Sequence, residues 1–200
     1  DVERSRGLGD VYKRQDPDAA LYWLARILDG GEDPRFIARR LLRMALEDVG
    51  LADPQAQSIC LHAWQSFERL GSPEGELALA QAALYLALAP KSNASYKGFA
   101  NSLEMVKKTG SEPPPKHILN APTELMRDQG YGENYEYDHD SADGFSGQNY
   151  FPENIDRFTA YQPVERGFER ELKKRISYFN NLREKRLSLI HISEPTRPLY

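Results

Sequence analysis

Apolar residues recur along this chain at helical spacing, and proline-marked breaks divide them into blocks. Asp16-Pro17, Asp33-Pro34, Asp53-Pro54 and Ser72-Pro73 each join a side-chain oxygen suited to an N-cap with a proline suited to the first helical position. Gly30-Gly31, Gly50 and Gly71 fall between them as C-terminal stops. The pattern predicts four helices over about 17–29, 34–49, 54–70 and 73–89. Their short links favour antiparallel neighbours.

Each of the first three helices has one apolar face at i, i+3, i+4 spacing. The first face holds Ala20, Leu21, Leu24, Ile27 and Leu28, and the second holds Phe36, Ile37, Leu41, Met44 and Ala45. The third holds Ala56, Ile59, Cys60, Ala63, Trp64 and Phe67, with His62 near it as a core or interface histidine. The fourth differs. Residues 77–89 are apolar on every side apart from Gln81, which predicts a central helix enclosed by the others. Such a helix makes Leu84→Asp an unfolding substitution, because the charge would be buried without a partner. Pro90 ends it.

A fifth helix is expected over about 93–108, capped by Ser92, with Tyr96, Phe99, Leu103 and Val106 inward. Gly110 and Pro113-Pro114-Pro115 end it. A short helix is expected over 122–129. Residues 131–161 then form a long irregular segment with five tyrosines (Tyr131, Tyr135, Tyr137, Tyr150 and Tyr161), expected to wrap over the helical body. A last helix over about 164–186 carries Phe168, Leu172, Ile176, Phe179 and Leu182. The fold class is all-α: a compact multi-helix bundle around the 73–89 helix, followed by the tyrosine-rich segment and a C-terminal helix.

Composition agrees with a soluble globular chain, being 40% hydrophobic and 28% charged over 200 residues. The net charge of -4 does not point to nucleic acid, and a single cysteine excludes an internal disulfide framework. A reducing cytoplasm is the simpler context, and no signal peptide or membrane segment is visible. Charge is segregated: residues 128–156 hold eight acids and no Lys or Arg, whereas residues 164–186 hold eight bases and four acids. Attraction between the two stretches, within a subunit or between subunits, competes with simple solvation. The ends stand apart. Residues 1–15 and 187–200 lack the pattern of the rest, and GDVYKRQ and SLIHISEPTRP resemble translated adapter or assembly sequence. Both are read as non-native flanks, and the natural protein is expected to continue upstream of Asp16. Residues 16–186 then form the domain, divided into a helical core (16–110), a wrapping segment (111–163) and a C-terminal helix (164–186).

No motif for catalysis is visible. GxxxxGK[ST], HExxH, CxxC and GxSxG are absent, so no catalytic, cofactor or metal-binding residue is assigned. Tyr137-Asp138-His139-Asp140 lacks a spaced partner for metal binding, and His117 has no catalytic company. Arg35, Arg39 and Arg43 lie at i, i+4 and i+8 and are the candidate nucleic-acid contacts. A solvated face, supported by Arg43–Glu47 pairing, is the favoured reading of that stripe.

Several uncommon strings occur in order: DPDAALYWLARILDGGEDPRFIARRLLRMALEDVGLADPQA, SPEGELALAQAALYLALAPKSNASY, NAPTELMRDQGYGENYEYDHD and GQNYFP. Over residues 16–186 they resemble the C-terminal region of the bacterial replication-associated recombination protein A family, also called MgsA and related to the Werner helicase-interacting protein. The resemblance implies a helical oligomerisation domain of a clamp-loader-like AAA+ ATPase that forms homotetramers. It also implies action at stalled forks, with DNA and single-strand-binding protein as partners of the full-length protein, in the bacterial cytoplasm at the nucleoid. The ATPase core, with ATP and magnesium, would lie upstream, so this chain by itself is not expected to be an enzyme. The alternative is a helical-repeat module, since ALYLALAPKSNASYKGFA resembles a tetratricopeptide repeat. That repeat needs several copies, and one is visible.

Overall fold

Asp16 and Asp33 start helices as their sequence context requires. In the computed structural model, which describes residues 15–141 and 143–193, Asp16 accepts from Ala19 N at 2.9 Å and opens α1 (Pro17–Asp29). Asp33 accepts from Arg35 N at 2.8 Å and opens α2 (Pro34–Met44). A π-helical turn (Ala45–Val49) and a 3-10 turn (Gly50–Ala52) follow. Asp53 then accepts from Gln55 N at 3.1 Å at the start of α3 (Gln55–Leu70). The remaining helices are α4 (Glu76–Leu88), α5 (Ala94–Thr109), the short α6 (Glu124–Asp128) and the long α7 (Glu169–Ser193). No strand occurs among the described residues, so the all-α class stands. The expected flanks fall mostly outside the description: nothing is described before Gln15 or after Ser193.

The chain divides into two compact units. One holds the described residues through Ala100 together with Ala160–Lys173, and the other holds Asn101–Thr159 and the described residues from Lys174 onward. Both α5 and α7 therefore begin in the first unit and end in the second.

The core of the first unit is built from the predicted faces. Ala20, Leu24, Ile27, Ile37, Leu41, Met44, Ala56, Cys60, Ala63 and Phe67 are all buried, around Leu79, Ala82, Ala83, Leu86 and Ala87 of α4. α4 packs against α1, α2 and α3, so it is central. Burial pushes the Cys60 thiol up to about 12, consistent with a small hydrophobe and not a nucleophile. At the C-terminus of α4 the Lys91 ammonium bonds Ala89 O at 2.6 Å and also reaches Leu86 O, neutralising carbonyls that Pro90 leaves unpaired.

Five expectations need correction. Ser72 does not cap α4: residues 72–75 complete the reversal after α3, Gly75 N bonds Gly71 O at 2.6 Å, and the helix starts at Glu76. α4 is not enclosed on all sides, because Leu77 and Leu88 are 66% and 65% exposed and Leu84 is half-buried. The face of α5 expected to point inward points outward. Ala94 and Gly98 are buried instead, and a Cβ on Gly98 would lie 3.2 Å from Ala160 O. The return of the chain at residues 160–161 needs a small surface, so the small face of α5 wins the inside position. α7 also starts five residues later than expected, at Glu169, and His62 is exposed and not near the core.

Candidate functional site

Two features bear on function: apolar helix faces open to solvent on α4 and α5, and, in the first unit, a buried carboxylate that ties a returning segment to the core. On α4 the open stripe is Leu77, Gln81, Leu84 and Leu88, spaced i, i+4, i+7 and i+11. Its two outer leucines each expose about two-thirds of their surface. On α5 Tyr96 (59%), Phe99 (68%), Leu103 (47%) and Val106 (62%) recur at i, i+3, i+7 and i+10 and are all exposed. Single exposed leucines are ordinary, but large apolar side chains repeated along one face mark a surface built for contact.

The carboxylate is Glu169, the first residue of α7 and fully buried. It accepts three hydrogen bonds: from Ser92 Oγ at 2.8 Å, Tyr161 OH at 3.1 Å and Val164 N at 2.8 Å. Burial beside Glu169 drives the Tyr161 phenol well above its usual range, which keeps the hydroxyl a donor. Ser92 also accepts from Ala94 N at 3.1 Å, capping α5, so one hydroxyl joins the helix start to the carboxylate. Nearby, Phe168 N donates to Ala52 O at 2.8 Å. Gly167 has φ +51, and a Cβ there would sit 2.0 Å from Ala52 O, so only glycine allows this approach. A second, partly buried tie is Tyr85 OH to Asp53 Oδ2 at 2.6 Å, which with burial raises the phenol to about 12.

The arginine stripe is largely self-neutralised. Arg35 pairs with Glu68 at 2.8 Å, Arg43 pairs with Glu47 at 2.8 Å, and Arg39 lies over the Phe36 ring at 5.8 Å. Each carboxylate raises the pKa of its arginine through a hydrogen bond, although both pairs are exposed. Phosphate binding by Arg35 or Arg43 has to displace a carboxylate already in place. The second unit contains an open polar cavity of about 450 Å³, lined in part by Lys116, His117, Asp128, Glu133, Gln148 and Glu153. Among the described residues no three His, Cys, Asp or Glu side chains are grouped to hold a metal ion, and His139 packs against Tyr137. No described helix is long and apolar enough to cross a membrane.

Sequence reasoning missed Glu169 as a tie. Its signals were an acid beside Gly167 in an otherwise basic stretch, and Ser92 read only as a cap. It also missed the open side of α4, although Gln81, the one polar residue, marks it.

The described residues thus form an all-α domain with a satisfied buried clasp and outward apolar faces. The comparisons with known proteins show its family. The family model described as MgsA AAA+ ATPase C terminal matches residues 14–180, and the chain belongs to that family. It is 52% identical over 170 residues to the replication-associated recombination protein A of Coxiella burnetii, covering 84% of this chain and 39% of that protein. Proteins of the same name from Haemophilus influenzae (48% over 161 residues, 80% of this chain, 36% of that protein) and Escherichia coli K12 (47% over 163 residues, 81% and 36%) are similar. The chain thus spans well under half the length of these relatives.

Proposed function

We propose that this chain is the oligomerisation and accessory domain of a clamp-loader-like AAA+ ATPase that acts in DNA replication, recombination and repair in the bacterial cytoplasm. In the whole protein it holds ATPase modules in a closed homotetramer, raising their effective concentration for one another. ATP and magnesium belong to the ATPase core, and DNA and single-strand-binding protein are partners of that assembly. Arg39, the one member of the stripe without a carboxylate partner among the described residues, is its strongest DNA-contact candidate.

The observation that carries the reading is the exposed row Tyr96, Phe99, Leu103 and Val106 on α5; Leu77 and Leu88 on α4 are exposed as well. Burying such side chains against a second copy is worth about 25 cal/mol per Å² before the costs of association. Sedimentation velocity on the Phe99→Glu/Leu103→Glu variant tests it. The expected result is loss of association with unchanged helical circular dichroism, because neither side chain supports the core. Association equal to that of the unaltered chain would remove this face from the assembly.

A further inference from the structure

The second unit contains a groove of about 300 Å³ lined by Phe145, Arg157, Ile176, Phe179, Asn180 and Arg183. Its walls are mainly apolar: Phe145 and Phe179 pack at 5.1 Å with a 44° tilt. Its charge is not balanced. Arg183 lies over Phe145 at 5.2 Å and donates from Nη1 to Asn180 Oδ1 at 2.9 Å, yet its Nε is buried with no acceptor. Burial and the like charge of Arg157 both lower the Arg183 pKa. Arg157 is exposed and rests over the Phe151 ring at 5.5 Å. Neither guanidinium has a carboxylate partner among the described residues. By contrast Arg186, one turn away on α7, approaches Glu136 at 4.0 Å and donates to Ser146 O at 2.8 Å. The groove therefore lacks an acid and has apolar walls beside the place that acid would take.

The same chain carries a stretch of matching chemistry. Residues 133–140, ENYEYDHD, lie within the acid-only region, and Tyr135 and Tyr137 are 52% and 53% exposed. Glu133 and Asp140 are exposed. In its own subunit the stretch is already placed: Asp138 accepts from Ser146 N at 2.7 Å, and Gln148 is bonded to Glu136 N and Asn134 O. Its outer face of tyrosines and acids is left to meet another molecule. We propose that the groove receives residues 133–140 of a second copy of this chain, a tyrosine against Phe145, Ile176 and Phe179 and the acids on Arg157 and Arg183. The contact is head-to-tail, the type that generates a ring when its rotation closes. A single-stranded nucleic acid fits less well. Base stacking favours flat, open rings, whereas Arg183 lies over Phe145 and the two phenylalanines are tilted against each other. This inference rests on the assembly reading above.

The test uses two charge-reversed forms of the full chain, Arg157→Glu/Arg183→Glu and Glu133→Lys/Asp140→Lys. Each is checked by circular dichroism, and their masses are followed by light scattering alone and mixed one to one. Each alone is expected to associate at least about tenfold more weakly than the unaltered chain, the scale of a reversed close charge pair at an interface. The mixture is expected to regain association, because every groove then meets a segment of opposite sign, and misfolded variants do not produce this rescue. Unaltered association of either variant overturns the contact while leaving the apolar-face reading standing. Loss without rescue in the mixture also overturns it, as does salt-sensitive oligonucleotide binding that only the Arg157→Glu/Arg183→Glu form loses while its association persists. A monomeric unaltered chain defeats the assembly reading itself, and this contact with it.

Discussion

Leu86 and Leu88 stand two positions apart on α4 and meet opposite surroundings: 1% of Leu86 is exposed, against 65% of Leu88. A charge at Leu86 would be buried without a partner, whereas a charge at Leu88 stays in water. Leu86→Asp is therefore expected to abolish cooperative thermal unfolding, and Leu88→Asp to keep the fold and its helical signal. Leu84 is half-buried, so Leu84→Asp is expected to lower the melting temperature without the complete unfolding that an enclosed helix implies. A fully unfolded Leu84→Asp chain would return α4 to the enclosed position read from its composition. An all-apolar stretch tells that a helix is central, but it cannot tell which side is left for a partner, since burial within a subunit and burial between subunits select the same side chains. Tyr85 supplies a pH test. Its phenol is raised from 10.0 to about 12 by the hydrogen bond to Asp53 and by burial. In the unfolded chain it ionises first, so the tie's stabilisation is complete below about pH 10 and is lost as pH rises toward 12. Chemical denaturation from pH 9 upward is expected to show falling stability, with a smaller fall in Tyr85→Phe. An equal fall in both would show that Tyr85 contributes nothing to it.

At the scale of elements, the returning segment 160–173 is held by Glu169, Ser92, Tyr161 and the Gly167 approach. Glu169→Ala leaves the Ser92 and Tyr161 hydroxyls and the Val164 N–H without their acceptor, at roughly 1–3 kcal/mol each before relaxation. Its expected effect is a large fall in melting temperature, with faster hydrogen exchange at Val164 and at the start of α7. Glu169→Gln keeps one carbonyl oxygen and is expected to lose less. Equal losses in the two variants would show that packing, not the acceptor oxygens, holds the segment. The elements themselves were mostly legible. Aspartate before proline fixed the starts of α1 and α2, and the i, i+3, i+4 faces of α1, α2 and α3 became the core, because local capping and periodicity act within one helix. The orientation of α5 was not legible: its large apolar side chains argued for the inside, and only the later segment at Ala160, which needs the small face at Gly98, decides otherwise. Glu169 was hidden for the same reason, its three donors lying at Ser92, Tyr161 and Val164.

At the scale of the molecule, the chain is a helical member of the MgsA AAA+ ATPase C-terminal family, with a closed core under α4 and apolar rows facing away from it. An accessory domain needs a subunit core that is stable without help and a surface that is not satisfied alone. On the proposed reading, the partly buried tie Tyr85–Asp53 and the buried tie Glu169–Ser92 serve the first need, and Leu88, Tyr96 and Phe99 the second. The candidate site could be named from sequence only as apolar periodicity, because a contact surface and a core have one pattern until the fold divides them. The measurement that reaches the central claim most directly is the solution mass of this chain by light scattering after size exclusion, across a wide range of concentration. The assembly account predicts a closed tetramer that persists on dilution. A monomer at the highest concentration, with these apolar rows exposed and stable in water, would contradict it.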